Sequence, residues 1–341
     1  MNLKELAEHL KLSPTTVSRA INGYPEVSEA TRARVMAAAE ANNYHPSHHA
    51  SGLAKGKANA IGHVIPLSKH MVMNPHFSDF ISGAGDVYCK AGYDMLIRVV
   101  VEGEEEAVYK QLAKDGRVDG VVVHGPANDD DRIKMLQDIG IPFVVHGRTA
   151  QGEDGYNWVD VNNIRAFKRA TQFLLDLGHR EIALVNGFEF MNFAMRRRSG
   201  YIEGLKEANI DINPEIMFTG EMSESLGYES VNTLLARDKP PTAVLLSSIL
   251  PSLGAARAIR EANLVLGKDI SIITFDDRLS FLQNSGDVPM FTSLRSSIRD
   301  AGVRVAEILL DQINNPKAGL CHELWEAELV LGSSTGPSSN N

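Results

Sequence analysis

The sequence predicts an all-α head built on a helix-turn-helix, followed by an α/β body of two doubly wound parallel-sheet subdomains. Three observations carry this. The N-terminal stretch holds two short amphipathic segments joined by a tight turn. From Ala60 onward, short apolar runs alternate with longer helical patterns, as in parallel sheets covered by helices. The run in "GHREIALVNG" then reads as a restart of the first run, "AIGHVIP", so the body divides near Val161. A chain of 341 residues is long enough for such a division.

In the head, Leu3, Leu6, Ala7 and Leu10 follow the spacing of a helix with one buried stripe. Lys11 and Leu12 make a turn. Ser13 is placed to cap the next helix, with Pro14 at its first position, where a missing N–H costs nothing. Val17, Ala20 and Ile21 face inward, while Thr15, Ser18, Arg19 and Asn22 face outward. Gly23-Tyr24-Pro25 ends this helix, and Ser28 starts a third with Glu29 in its first turn. The exposed face of the second helix suits a major groove, and equally the solvated side of a small helical bundle. Beyond it, Pro46 breaks the chain and Ser47 can cap a short helix through Leu53. Gly52, Gly56, Lys55 and Lys57 then loosen the chain ahead of the first strand. So short a helix is unstable alone in water, and a partner must order it.

Charge is distributed to match. The net charge is −9, yet residues 1–57 hold seven basic and five acidic groups, leaving −11 for the remainder. A slightly basic head on an acidic body is expected when only the head meets a polyanion.

Other classes are disfavoured. Cys89 and Cys321 lie far apart without metal-ligand spacing, and His45, His48 and His49 have no cysteine or carboxylate to complete a site, so no metal is expected. Gly83-Ala84-Gly85 opens a G-x-G, but Tyr88 stands at the sixth position, and HExxH and P-loop patterns are lacking. No enzyme activity and no cofactor are expected. Met1–Glu5 lead straight into a helix rather than a signal segment, and polar residues interrupt the most apolar region, 243–259. The expectation is a cytoplasmic protein without membrane association.

The segments "LKELAEHLKLSPTTVSRAING", "VSEATRARV", "NNYHPSHHASGLAKGKANAIGHVIP", "DLGHREIALVNG", "MRRRSGYIEGL" and "ISIITFDD" together resemble the LacI/GalR family of bacterial transcriptional regulators. The resemblance implies that the head reads double-stranded operator DNA, with Thr15, Thr16, Ser18 and Arg19 at base edges. Leu3, Ser13, Asn22, Ser28, Thr31 and Tyr44 are then placed at the backbone. It assigns Leu53 as a minor-groove wedge between the small residues Ala50 and Ala54. His48, His49 and Ser47 stand where relatives commonly carry arginine and asparagine, which implies a shallower salt dependence.

It further implies a body like a periplasmic sugar-binding protein, taking a mono- or disaccharide between its subdomains. The ligand should lie beyond the carboxyl ends of the strands. The candidates there are Phe77, His146, Arg148, Arg197, Met222, Ser248 and Asp276, with Phe80, Asp277 and Ile298 nearby. A carboxylate and a guanidinium from separate elements can each span adjacent hydroxyls; the plainer alternative is a salt bridge between Arg197 and Asp276. Ser248-Ile249 and Gly147 replace residues that carry a carboxylate in many relatives, so the pocket departs from the family pattern. "HGR" and "NGYPEVSEATR" look most like α-glucoside and disaccharide repressors.

The expected divisions are 1–46 for the helix-turn-helix and 47–58 for the hinge. Segments 59–160 plus about 293–322 form the first subdomain, and 161–292 plus about 323–335 the second. Residues 336–341 are read as a flexible tail. The expected function is an effector-responsive repressor of a carbohydrate operon, acting as a homodimer on a palindrome. An activator or corepressor-dependent regulator, and a sugar-binding protein without DNA function, are the alternatives.

Overall fold

The computed structural model describes residues 1–44, 57–66, 75–150 and 153–338. It forms two units, Met1–Asn59 and Ala60–Asn341. The hinge assignments at Ala50, Leu53 and Ala54 lie outside the described residues.

In the head, α1 (Leu3–Leu10), α2 (Pro14–Ile21) and α3 (Glu29–Ala41) surround Leu6, Ala7, Val17, Ala20, Val27, Val35 and Ala39. The starts are set by side chains. Asn2 accepts from the Glu5 amide while the Glu5 carboxylate accepts from the Asn2 amide, a reciprocal cap. Ser13 and Ser28 cap the other two helices. Lys11, with φ +54°, makes the tight turn. Arg34 donates to the Leu10 carbonyl and Arg32 to the Tyr24 carbonyl, so these two cations brace the head internally.

The body has two lobes. β1 (Ala60–Pro66), α4 (Pro75–Ala91), β2 (Asp94–Val100), α5 (Glu105–Lys114), β3 (Gly120–His124), α6 (Asp131–Ile139), β4 (Phe143–His146) and β5 (Asn157–Val161) begin the first. The second comprises α7 (Asn163–Asp176), β6 (Ile182–Asn186), α8 (Asn192–Glu207), β7 (Met217–Thr219), α9 (Glu224–Leu235), β8 (Ala243–Leu246), α10 (Ile249–Glu261), β9 (Ser271–Asp276) and β10 (Thr292–Arg295). The chain returns to the first lobe through α11 (Ile298–Asn314) and β11 (His322–Trp325), and ends in the second with β12 (Glu328–Val330).

The first sheet runs β11-β5-β4-β3-β1-β2, parallel throughout, and the second β12-β10-β9-β8-β6-β7, with only β12 antiparallel. The central strands are apolar and buried because helices cover both faces. Gly83 is part of this packing rather than a nucleotide loop: a Cβ there would stand 2.1 Å from the Arg299 carbonyl oxygen of α11.

Two expectations need correction. The crossings at about 293 and 323 fall inside strands; β10 still pairs with β9, and β11 pairs with β5, so the chain changes lobe after Arg295 and after Trp325. The described part of the expected tail, residues 336–338, is stitched to the second lobe. The Gly336 carbonyl accepts from His179 and Ser271, and the Ser338 amide donates to the Leu177 carbonyl. Just before it, Ser334 donates to the Ile272 carbonyl and accepts from the Thr292 amide. Small residues with hydroxyls suit close packing on strand backbones as well as they suit a linker.

Candidate functional site

On the head, Thr15 and Arg19 are exposed and Ser18 is partly exposed along one side of α2, so its first turns present hydroxyls and a guanidinium. The Arg19 guanidinium bonds no described group, unlike those of Arg32 and Arg34. The Thr16 hydroxyl lies 2.8 Å from that of Ser13, and the Thr31 hydroxyl 2.9 Å from that of Ser28. Asn22 donates to the Ser18 carbonyl. Leu3 and Tyr44 pack partly against the head core, which leaves their exposed edges as the available contact.

In the body, the carboxyl ends of β1, β3 and β4 face those of β6, β8 and β9. β3 and β4 end alike, in His124-Gly125 and His146-Gly147, with the two histidines in register. Both glycines have positive φ, +48° and +103°, and turn the chain away so that the imidazoles stay at the strand ends. His124 sits edge to face with Phe77 and Phe80, at centroid distances of 5.4 and 4.8 Å, and His146 lies 4.7 Å from Phe80. Behind them His63, in the middle of β1, places its Nδ1 3.0 Å from His124 Nε2.

Burial keeps this histidine group neutral. It lowers His63 to about 3 and His146 to about 4, and brings His124 well below its ordinary value, where a proton would also be repelled by the Arg132 guanidinium. The unfolded chain takes up protons near pH 6.5 while the folded one does not. Stability is therefore full above that pH and drains as pH falls towards 4. Thermal denaturation should give a Tm at pH 4.5 lower than at pH 7 by about 10 °C. A His146→Gln variant should narrow the gap; an unchanged gap would argue against this origin.

Opposite these side chains, Arg197 of α8 is buried. Its Nε donates to Asn163 Oδ1 at 2.8 Å and its Nη1 to the Ser247 carbonyl at 2.5 Å, and its guanidinium lies 3.9 Å from the Phe275 ring centre. Burial lowers its pKa to about 10, so it remains charged at neutral pH. Asn163 Nδ2 approaches Asp160, which accepts from Arg148 Nε at 3.0 Å. Arg148, Asp160, Asn163 and Arg197 thus form one polar chain through the crossing after β5. The alternative salt bridge between Arg197 and Asp276 does not form.

Of the two aspartates at the end of β9, Asp277 is the one that reaches the first lobe. Asp276 is turned into the second lobe, where its carboxylate accepts from the Arg278 amide and Arg295 Nε. Asp277 spans the lobes, with His76 Nε2 2.9 Å from its Oδ2. His76 also approaches the Ser248 hydroxyl at 3.4 Å, while that hydroxyl caps α10. Met222 is partly buried beside Gly187, and Ile298 starts α11 with its amide on the Asp277 carbonyl. Further contacts bridge the lobes. Asp79 accepts from both the amide and the hydroxyl of Ser280 at 2.6 Å, and Arg196 donates to the Thr149 carbonyl. Arg196 is thus a bridge between the lobes rather than a solvated side chain.

Of the expected residues, the structure gathers Phe77, His146, Arg197, Ser248 and the Asp276–Asp277 pair at the facing strand ends. His76, His124, Asp160 and Asn163 were missed. His124 had a signal, since "VVVHG" and "FVVHG" end two successive strands in the same way.

A helix-turn-helix head attached to a two-lobed body with a polar and aromatic cleft defines a DNA-binding transcriptional regulator that responds to a small molecule. The comparisons agree. Residues 2–47 match the model for bacterial regulatory proteins of the lacI family, and residues 171–335 the periplasmic binding protein-like domain. The chain is 43% identical to the HTH-type transcriptional regulator AglR of Rhizobium meliloti (strain 1021), covering 99% of this chain and 95% of that protein. It is 32% identical to the HTH-type transcriptional regulator RafR of Escherichia coli, covering 81% and 82%. A solved complex of the transcriptional regulator CelR with cellobiose superposes with a TM-score of 0.72 at 26% identity, covering 98% and 99%. The chain belongs to the lacI family of bacterial regulatory proteins. Among the described residues, no helix is long and apolar enough to cross a membrane.

Proposed function

We propose that this regulator is a cytoplasmic repressor of a carbohydrate-utilisation operon, released from or held on its operator by a small saccharide in the body cleft. The observation that carries the reading is the lining of that cleft. Neutral imidazoles and phenyl rings stand on one side, and a buried guanidinium with a carboxylate on the other. Rings stack on the apolar faces of a sugar, and fixed ionic groups bind its hydroxyls in pairs. Asp277 takes the ligand-facing part first given to Asp276. Arg148 acts through Asp160, and Met222 and Ser248 close the second-lobe wall. A disaccharide is favoured by the cellobiose held in the CelR complex.

On the head, Thr15, Thr16, Ser18 and Arg19 read base edges. Asn22, Ser28, Thr31 and the neighbourhood of Leu3, Ser13 and Tyr44 meet the backbone. One such helix buries too little surface for tight specific binding, so two copies read a palindrome as a homodimer. Effector and operator are coupled by about 1–3 kcal/mol, and the coupling is reciprocal.

The test screens mono- and disaccharides for thermal stabilisation, then measures operator binding by fluorescence anisotropy with and without each hit. One saccharide should raise Tm and change the operator Kd at least fivefold. If none does both, the reading fails. On the DNA side, Arg19→Ala should weaken operator binding by about 1–3 kcal/mol and leave binding to unrelated DNA much less affected. Equal losses on both would remove Arg19 from base reading.

A further inference from the structure

We propose that His63, a core residue remote from solvent, is a positioning residue that fixes His124 as an uncharged Nδ1–H donor in the cleft. The effector then meets this side chain through an acceptor oxygen. The inference rests on the proposed reading of the cleft as the saccharide site and names what that wall recognises.

Proton counting separates the possible states. His63 Nδ1 and His124 Nε2 lie 3.0 Å apart, so one nitrogen carries the shared proton and the other accepts it. In one arrangement His63 donates from Nδ1; its Nε2 is then a bare acceptor, and His124 holds its own proton on Nδ1. In the other, His124 donates from Nε2, and His63 must hold a proton on its own Nε2. That Nε2 is buried and has no hydrogen-bond partner. Tyr88, whose ring centre is 5.9 Å from that of His63, carries another buried polar atom without a partner, its hydroxyl.

The two arrangements differ in the donors they strand. When His63 donates from Nδ1, its Nε2 is a bare acceptor, and the ring itself strands no N–H donor. When His63 is protonated on Nε2, at least one of Nε2–H and the Tyr88 O–H stays unpaired. A stranded buried N–H or O–H is the rarer and costlier defect. A doubly protonated ring is disfavoured as well, because burial holds both histidines neutral.

The outcome is a fixed donor where it is of use. His124 is partly exposed, and its Nδ1 bonds no described group. Phe77 and Phe80 flank the ring and His146 closes one side, so the ring has little freedom to turn. A lone histidine would exchange tautomers and accept from a hydroxyl as readily as donate to one. This one donates, which suits a ring, glycosidic or hydroxyl oxygen of a neutral saccharide.

Long-range proton–nitrogen correlation spectra of the full-length protein, labelled with 15N-histidine, report tautomers directly without any saccharide. At pH 7.5 His124 should be the Nδ1–H form in the wild type and a mixture dominated by Nε2–H in His63→Leu. His63→Asn, whose amide can donate from near the Nδ1 position, should restore the wild-type form. Affinity for the best binder among glucose, maltose and cellobiose should fall about tenfold in His63→Leu and recover in His63→Asn. A wild-type His124 in the Nε2–H form overturns the proposal, as does a His63→Leu spectrum unchanged from the wild type. If His63→Leu does not fold, the wild-type and His63→Asn spectra decide. Should the spectra come out as stated while His124→Ala binds the sugar as the wild type does, the recognition half falls. If none of the three sugars binds the wild type, the reading of the cleft is at fault, and the spectra still decide the role of His63.

Discussion

Replacing Arg197 with alanine should abolish the response of operator binding to saccharide while leaving operator affinity in its absence within about threefold. The guanidinium organises the second-lobe side of the cleft from below: it holds Asn163 and the Ser247 carbonyl and stacks on Phe275 and Phe193. Its loss strands two buried acceptors and opens a void among the rings of Phe167, Phe193 and Phe275. Stranding a buried acceptor costs about 1–3 kcal/mol, and with this wall of the cleft unsupported saccharide affinity should fall at least a hundredfold. Tm should drop by about 10 °C. Arg197→Lys keeps the charge but not the planar stack or the two-directional donation. It should recover much of the Tm and little of the saccharide affinity. The head is a unit of its own, which is why DNA binding without saccharide should persist. Calorimetric titration with the sugar and anisotropy with the operator check both halves; a sugar response retained in Arg197→Ala would remove Arg197 from the site.

Gly227→Ala should be among the most damaging single methyl additions. Helices α9 and α10 cross where Gly227 and Gly254 face each other's backbones. A Cβ on Gly227 would stand 1.8 Å from the Pro251 carbonyl oxygen, and one on Gly254 1.9 Å from that of Glu224. Backbone cannot swing aside as a side chain can, so the helices must separate and uncover core residues such as Val231 and Ala255. Overpacking typically costs about 1–3 kcal/mol and more when backbone must move. A Tm fall of about 10 °C is expected by calorimetry. Gly85→Ala is the control with the opposite sign. It also lies within a helix, but its Cβ would meet only the Met95 methyl at 3.8 Å, so alanine should stabilise slightly through helix propensity. If both substitutions behave alike, the close crossing is not what matters at Gly227.

Most of the architecture was legible in the sequence because the central strands are parallel and covered on both faces, which makes them continuous apolar runs. "GVVVH", "FVVH" and "SIITFD" need no partner to be recognised. Thr292–Arg295, His322–Trp325 and Glu328–Val330 were not picked out: they are three or four residues long, two of them are half exposed, and they flank crossings that only the assembled sheets define. The same limit applied to the cleft. The family resemblance pointed to Arg197, whereas the choice between Asp276 and Asp277 depends on which way one strand end turns, and neighbouring positions point to opposite sides. His76 and Asp79 find partners some two hundred residues away, at Asp277 and Ser280, and no local pattern announces such pairs. The serines near the C-terminus were misread for a related reason: composition alone does not distinguish a loose linker from hydroxyls that seal strand backbones.

Neither lobe is contiguous in the chain. The first waits for β11 at His322–Trp325, and the second for β12 and the serines beyond it, while the head is complete by Asn59. During translation the DNA-reading module therefore emerges finished, long before anything that could sense a metabolite. A polypeptide cut short by a late stop codon would lose strands from both sheets together. It would be a protein still able to touch the chromosome yet deaf to its effector, which makes the stretch from His322 to Ser334 the point at which the nascent chain becomes controllable.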